Sequence, residues 1–246
     1  MTRNSFWLFL LVSFGIASPL FYFSTQQTSA VVITLLFLAG SYAPALGAWL
    51  AISLAHPDEK QAFLASLRRQ SGRRWILFGL LVPTLIWLAA FGLSFLIAPL
   101  ESPAWTLLAA LPVVLLVNYG EEIGWRGYAL PFLLKRFSPL TASLLLSAIW
   151  ILFHVPLYVA RPVFGSLASV SILLISLILT WMYLNTKSIL PGTLFHAAFN
   201  AWTQVFAGGT NAPLLLVIVI AFLAIIVIWL FNRFGRNLSV ETVSLS

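Results

Sequence analysis

Long apolar runs recur along the whole chain, and they limit the available folds more than any other feature. The eight runs occupy residues 6–23, 30–55, 75–98, 105–134, 139–159, 166–184, 188–206 and 212–232. A helix of roughly 20 apolar residues spans the hydrocarbon core of a bilayer. Backbone polar groups inside lipid must be satisfied within the protein, which favours helices. The sequence therefore predicts an all-α, polytopic transmembrane bundle of about eight helices.

Composition supports a single integral membrane domain over residues 1–246. Hydrophobic residues make up 61% of the chain and charged residues 8%, which is too few charges to cover a soluble domain of this size. The net charge of +7 is spread between the apolar runs, so nucleic acid is not an expected partner. Cysteine is absent, which excludes disulfides, thiolate metal ligands and thiol nucleophiles.

The distribution of basic residues predicts the orientation. With the N-terminus inside, eleven of the thirteen Lys and Arg residues fall in cytoplasmic segments, Arg161 falls outside, and Arg126 lies within a span. The positive-inside rule thus places both termini in the cytoplasm. The run 6–23 is interpreted as a retained first helix rather than a signal peptide.

Three segments are expected to depart from straight transmembrane helices. Pro44 predicts a kink in the second run, and Pro131 is expected to bend or end the fourth. The cytoplasmic segment 56–74 has two interpretations. It forms either an interfacial helix, with Phe63 and Leu67 in an apolar stripe, or a solvated basic loop.

Ionisable residues inside apolar spans are functional candidates, because burying a charge in a membrane is costly. Of the six acidic residues, only Glu121 and Glu122 lie within a span. The other four, Asp58, Glu59, Glu101 and Glu241, lie in loops or the C-terminal tail. Two of the three histidines, His154 and His196, also interrupt apolar runs.

Helical geometry separates the two neighbouring glutamates. At about 100° per residue, Arg126 lies roughly 40° from Glu122 and roughly 140° from Glu121. Glu122 and Arg126 are four residues apart and are expected to form an ion pair, which leaves Glu121 for chemistry. Three other side chains are expected near the face of Glu121, namely Asn118, Trp125 and Tyr128.

The two remaining polar positions form a second helical pair. His196 and Asn200 are four residues apart and share one face, so they could donate together to a developing oxyanion. An interhelical hydrogen bond between polar groups is the structural alternative.

The residue inventory limits the intramembrane chemistry. Asp58 is the only aspartate, so an aspartyl dyad is excluded, and neither span histidine has the spacing of a His-Glu-x-x-His zinc site. Serine residues occur within spans, but none lies in an obvious nucleophile turn. Two arrangements remain. A carboxylate and a histidine activate water, or Glu121, His154 and His196 share a divalent metal such as zinc.

The three polar segments resemble the motifs of the CAAX-protease and bacteriocin-processing family, also called the Abi or type II CAAX prenyl endopeptidase family. The EExxxR motif corresponds to Glu121, Glu122 and Arg126, and the HxxxN motif to His196 and Asn200. The FxxxH motif is present with tryptophan in place of phenylalanine, as Trp150 and His154. The resemblance covers roughly residues 105–205.

The resemblance implies an endopeptidase that cuts membrane-associated proteins or peptides within a bacterial cytoplasmic membrane. Glu121 and His154 would position the attacking water, and His196 and Asn200 would form the oxyanion site. Glu122 and Arg126 would brace the helix. Trp150, like Trp125, would line the pocket wall, so the change from phenylalanine is expected to alter only that wall.

Two other functions are compatible with buried glutamate and histidine. A non-catalytic immunity factor or scaffold would keep its phenotype after mutation of Glu121. A proton-coupled transporter would show uptake in proteoliposomes, although the repeated halves common in transporters are absent from this sequence.

Overall fold

The computed structural model describes residues 1–96, 109–159, 162–206 and 212–239, and this part of the chain is helical without strands. The helices are α1 (Arg3–Ser24), α2 (Ala30–Ser41), α3 (Ala43–Ala55), α4 (Lys60–Leu67), α5 (Arg73–Phe95), α6 (Leu111–Gly124), α7 (Leu130–Leu134), α8 (Pro139–Tyr158), α9 (Pro162–Thr186), α10 (Leu190–Phe206) and α11 (Ala212–Ser239). A 3₁₀ turn at Pro57–Glu59 precedes α4, and a π-helix at Trp125–Ala129 joins α6 to α7. The prediction of an all-α bundle is confirmed.

Helices occupy all eight predicted spans. Within the described residues, six are long and apolar enough to cross a membrane: α1, the pair α2–α3, α5, α8, α9 and α11. The other two predicted spans contain α6, with 14 residues and the π-helix after it, and α10, with 17 residues, and they include Glu121, Glu122, Arg126 and His196. Eight crossings therefore remain a prediction.

The kink expected near Pro44 is a break between α2 and α3 at Tyr42. Proline at the start of α3 suits the first turn of a helix, where its missing N–H is not needed. The break packs against two glycines of α6. A Cβ added at Gly120 would lie 2.7 Å from the Tyr42 ring, and one at Gly124 would collide with Pro44. These glycines therefore allow α6 to approach α3 closely.

The irregularity expected at Pro131 lies one turn earlier. The Leu130 N–H donates to the carbonyl of Trp125, five residues back, instead of to Arg126 as in an α-helix. Pro131 has no N–H, and its ring crowds the carbonyl four residues before it, which is consistent with a wider preceding turn. The helix continues past Pro131 to Leu134.

The segment 56–74 contains a helix, as the first of its two interpretations predicted. In α4, Phe63 is buried, and a Cβ at Gly127 would lie 3.0 Å from Leu67 Cδ2. The apolar side of α4 thus packs against the π-helix that contains Arg126. Contact of α4 with lipid headgroups remains a prediction.

Several segments predicted to be cytoplasmic lie at one end of the bundle. Arg136 Nη2 donates to the Met1 carbonyl at 3.3 Å, and the Ser188 hydroxyl donates to the Arg69 carbonyl. Leu230, near the end of α11, lines a small cavity together with the start of α8 and the end of α9. These segments thus lie close to one another in the structure. The sequence predictions for Glu101, Arg161 and residues 240–246 of the tail lie outside the described residues.

Candidate active site

The predicted functional side chains are buried where α6, α8 and α10 meet. Exposure is 2% for Glu121, 0% for Glu122, 1% for Arg126, 8% for His154 and 4% for His196. Charged groups removed from solvent to this degree need partners nearby. Each of these residues has one, and the partners divide the residues into two groups.

The first group contains Glu122, Arg126 and His196. Arg126 Nη1 donates to Glu122 Oε1 at 2.9 Å, so the predicted ion pair is present. His196 Nδ1 lies 3.1 Å from the same oxygen. Arg126 Nη2 also donates to the Ser176 hydroxyl on α9 at 3.3 Å. This group joins the site helices α6 and α10 to α9.

The second group contains Glu121 and His154. Glu121 Oε2 accepts a hydrogen bond from Trp150 Nε1 at 2.9 Å and lies 4.0 Å from His154 Nε2. The latter distance is too long for a direct hydrogen bond. A water molecule at ordinary hydrogen-bond lengths, about 2.8 Å, can bridge two atoms separated in this way. Glu121 and His154 can therefore hold one water between them.

The orientation of the His154 ring follows from its backbone contact. Nδ1 lies 2.8 Å from the Trp150 carbonyl oxygen, one turn earlier in α8. Because a carbonyl only accepts, Nδ1 carries the proton, and Nε2 of the neutral ring presents a lone pair towards Glu121. The ring stacks with Tyr158 and Phe21 at centroid distances of 5.9 and 6.3 Å. The imidazole is thus held ready to accept a proton or orient a water.

Asn200 has a partner that sequence reasoning did not assign to it. Its Nδ2 donates to Asn118 Oδ1 at 2.8 Å, and Asn118 Nδ2 donates to the Val114 carbonyl at 2.6 Å. Asn118 lies one turn before Glu121 in α6, and its expected position near the face of that glutamate stays a prediction. The signal that could have found this contact is an amide one turn before the glutamates in an otherwise apolar helix. One N–H of the Asn200 amide remains for another acceptor.

The two tryptophans assigned to the pocket wall have different surroundings. Trp150 lies between the two groups, since it donates to Glu121 and its ring lies 4.8 Å from that of His196. Trp125 packs edge-on against Phe9 and Phe153, at 5.6 and 5.2 Å. The structure thus brings Trp150 to the polar side chains and places Trp125 among apolar rings.

The donor set does not favour the shared metal site proposed as an alternative. Among the described residues, no group of three or more His, Asp and Glu side chains is arranged to hold a metal ion. Zinc ligands lie about 2.0–2.2 Å from the ion. Here His196 Nδ1 is turned to Glu122. No cofactor is assigned to the site.

Comparison with known proteins identifies similar sequences over the segment that contains the site. Residues 103–202 match the family model described as Type II CAAX prenyl endopeptidase Rce1-like. A protein of Methanococcus maripaludis named CAAX prenyl protease 2 is 36% identical over 107 residues. The alignment covers 39% of this chain and 40% of the relative, so the chain spans less than half of that relative's length. The family match includes all three motifs and confirms the resemblance.

Proposed function

We propose that this protein is an intramembrane endopeptidase that hydrolyses peptide bonds of membrane-associated proteins or peptides. The observation that carries the proposal is the 4.0 Å separation between Glu121 Oε2 and His154 Nε2 within a buried site. A carboxylate and an imidazole lone pair at this distance can take a water molecule between them. The family match over residues 103–202 supports endopeptidase activity.

The hydrolysis begins with proton transfer to Glu121. As the water oxygen attacks the peptide carbonyl, its proton passes to the carboxylate, while His154 Nε2 accepts the second water hydrogen in a hydrogen bond. The C–N bond then breaks, and the proton on Glu121 passes to the departing amine. The carboxylate is regenerated and the new acid leaves. Both groups are held by neighbours, so little reorganisation accompanies the reaction.

The oxyanion formed by this attack needs hydrogen-bond donors, and we assign them to Asn200 and His196. Glu122 is a carboxylate paired with Arg126, so it can only accept, and His196 Nδ1 carries a proton towards it. His196 Nε2 therefore donates only when the ring is an imidazolium.

The class of substrate and the membrane in which the protein lies are also proposals. The buried site favours a peptide that enters from the bilayer or its surface, and the apolar helices indicate a multi-pass membrane protein. The concentration of basic residues in loops predicted to be cytoplasmic favours a cytoplasmic membrane, which we propose to be bacterial. The relative from Methanococcus maripaludis is named a prenyl protease. We do not propose that the substrate of this chain must carry a prenyl group.

Comparative membrane proteomics tests the proposed activity and searches for the substrate. Cells producing wild-type protein, Glu121→Ala or His154→Ala at equal levels are compared, with Asp58→Ala as the control because it removes an exposed loop carboxylate. Uncut precursors should accumulate with both site variants, while cleaved forms appear with wild type and Asp58→Ala. Identical peptide patterns in all four strains would contradict proteolysis. A phenotype that survives Glu121→Ala would indicate a non-catalytic role.

A further inference from the structure

Trp150 contacts every charged or titratable side chain of the site except Glu122. Its indole N–H donates to Glu121, and its backbone carbonyl accepts from His154 Nδ1. The Arg126 guanidinium carbon lies 4.5 Å from the centre of the ring. The His196 ring approaches edge-on at an interplanar angle of 88°. Trp150 therefore connects the group of Glu121 and His154 with the group of Glu122, Arg126 and His196.

The contact with Glu121 depends on tryptophan. The family motif has phenylalanine at this position, and a phenyl ring has neither an N–H nor the length of an indole. The same aromatic position therefore acquires a hydrogen-bond donor in this chain. Trp150 is 1% exposed, so water does not compete for that donor.

The hydrogen bond restricts a flexible side chain at the point where the chemistry needs it. A glutamate side chain without a partner samples several rotamers, and fixing it in one of them costs conformational entropy. Trp150 Nε1 holds Glu121 Oε2 at 2.9 Å, which places that oxygen 4.0 Å from His154 Nε2. The second lone pair of Oε2 and both lone pairs of Oε1 stay available for water.

The Trp150 ring also separates the surroundings of the Glu121 carboxylate from those of the Glu122 carboxylate. Arg126 lies over the face of the indole, whereas Glu121 is bound at its edge. A cation over an aromatic face is attracted by the ring quadrupole, so this position is favourable for the guanidinium. The indole thus contacts the guanidinium and the Glu121 carboxylate at different places, and it holds the carboxylate by a hydrogen bond of its own.

We infer that Trp150 is a positioning residue, which orients the Glu121 carboxylate towards His154 and keeps it out of the Glu122–Arg126 pair. This inference rests on the proposed function, because it gives Trp150 a role through the proposed base. It differs from the role implied by the resemblance, in which the aromatic ring only lines a pocket.

Two replacements of Trp150 separate the N–H from the ring. Trp150→Phe removes the donor and shortens the ring, whereas 3-benzothienylalanine at position 150 keeps the bicyclic shape and replaces N–H by sulfur. A hydrogen bond to a charged group is worth about 1.5–3 kcal/mol, which corresponds to an expected loss in kcat of about 10- to 100-fold. KM should change by less than about twofold, because the orientation matters mainly in the transition state.

Trp87→Phe is the matched control. Trp87 is fully buried, packs against Phe199 and Phe206, and its indole N–H has no hydrogen-bond partner among the described residues. This variant should retain wild-type kcat and KM. Wild-type kcat for the benzothienylalanine protein would overturn the inference. Glu121→Ala is measured in the same assay. If it is inactive, the proposed function stands even when the inference about Trp150 fails. Cleavage by Glu121→Ala would overturn the proposed function itself.

A spectroscopic measurement tests the contact without relying on activity. The chain has ten tryptophans, and the indole ¹⁵N–H resonance of Trp150 is assigned as the one missing from Trp150→Phe protein. Replacing the acceptor by Glu121→Leu should move that resonance towards the position of an unbonded indole, while the Trp87 resonance stays in place. An unchanged Trp150 resonance would show that the hydrogen bond is absent and would overturn the inference.

Discussion

Replacing either neighbouring glutamate by glutamine should have opposite effects on stability and catalysis. Glu122→Gln leaves the Arg126 guanidinium without its carboxylate, although that side chain is only 1% exposed. Glu121→Gln removes a carboxylate that accepts a hydrogen bond from the indole N–H of Trp150 and lies 4.0 Å from His154 Nε2. An amide oxygen can still accept from Trp150, so this substitution keeps the contact and loses the base.

The expected magnitudes follow from burial. Breaking a buried ion pair by removing one partner costs about 3–5 kcal/mol, because the remaining charge is uncompensated. At about 2–4 °C per kcal/mol for a protein of this size, Glu122→Gln should lower Tm by about 6–20 °C. Glu121→Gln exchanges a charge-assisted hydrogen bond for a neutral one, a loss of about 1 kcal/mol and about 2–4 °C.

The assay is thermal unfolding of the purified variants in one detergent, followed by circular dichroism and tryptophan fluorescence. Peptide cleavage is measured below the lower Tm, where both variants are folded. Glu121→Gln should be nearly as stable as wild type and inactive. Equal destabilisation by the two substitutions, or a stable Glu122→Gln protein, would refute the division into a chemical and a structural carboxylate.

Three further substitutions test helix packing at two glycines and the backbone conformation and charge of Lys187. Gly124→Ala, whose Cβ would collide with Pro44, should lower the free energy of unfolding by about 1–3 kcal/mol. Gly15→Ala, where a Cβ meets nothing within 4 Å, should change it by less than about 1 kcal/mol, and urea unfolding of both compares the two sites. Lys187 has a φ of 53°, so Lys187→Gly should stabilise the protein by about 1 kcal/mol. Burial, and then the charge of Arg69, lower the pKa of Lys187 below 10.5. At pH values between that lowered pKa and 10.5, Lys187 is protonated in the unfolded chain but mostly neutral in the folded one. The free energy of unfolding of the wild type should therefore rise with pH in this interval. Urea midpoints measured across that interval should show this contribution in wild type and lose it in Lys187→Gly, and parallel pH profiles would contradict it.

Features determined by local periodicity could be predicted from the sequence. The first apolar run, 6–23, corresponds to α1 at Arg3–Ser24, because a continuous apolar segment in lipid has no alternative to a helix. The ion pair between Glu122 and Arg126 depends only on the rise and turn of one helix, and it lies within the last turns before Pro131. Local geometry was sufficient for both.

The π-helix limited that reasoning. A turn with one additional residue rotates every following side chain relative to an ideal α-helix. The wide turn begins at Trp125, whose N–H still donates to the Glu121 carbonyl as in an α-helix, so the change affects only the positions that follow. The proline that accompanies this turn was recognised in the sequence, yet its effect appears before Pro131 and not at it.

Contacts between distant segments could not be predicted. The Trp150–Glu121 hydrogen bond joins residues 29 positions apart, and Asn118–Asn200 joins residues 82 positions apart. These contacts depend on the order in which α6, α8 and α10 pack, and hydrophobic periodicity along a single helix contains no information on that order. The resemblance implied that Glu121, His154, His196 and Asn200 share one site, but the donor and acceptor at each contact came only from the structure.

The central claim is that Glu121 and His154 activate a water for peptide hydrolysis within the bundle. The most direct measurement is single-turnover cleavage of a membrane-tethered peptide by purified protein in proteoliposomes, with the products identified by mass spectrometry. General-base catalysis contributes about 10²- to 10⁴-fold, so Glu121→Gln should slow the cleavage step by at least about 100-fold while wild type cuts at one defined bond. Normal cleavage by the Glu121→Gln protein would contradict the claim.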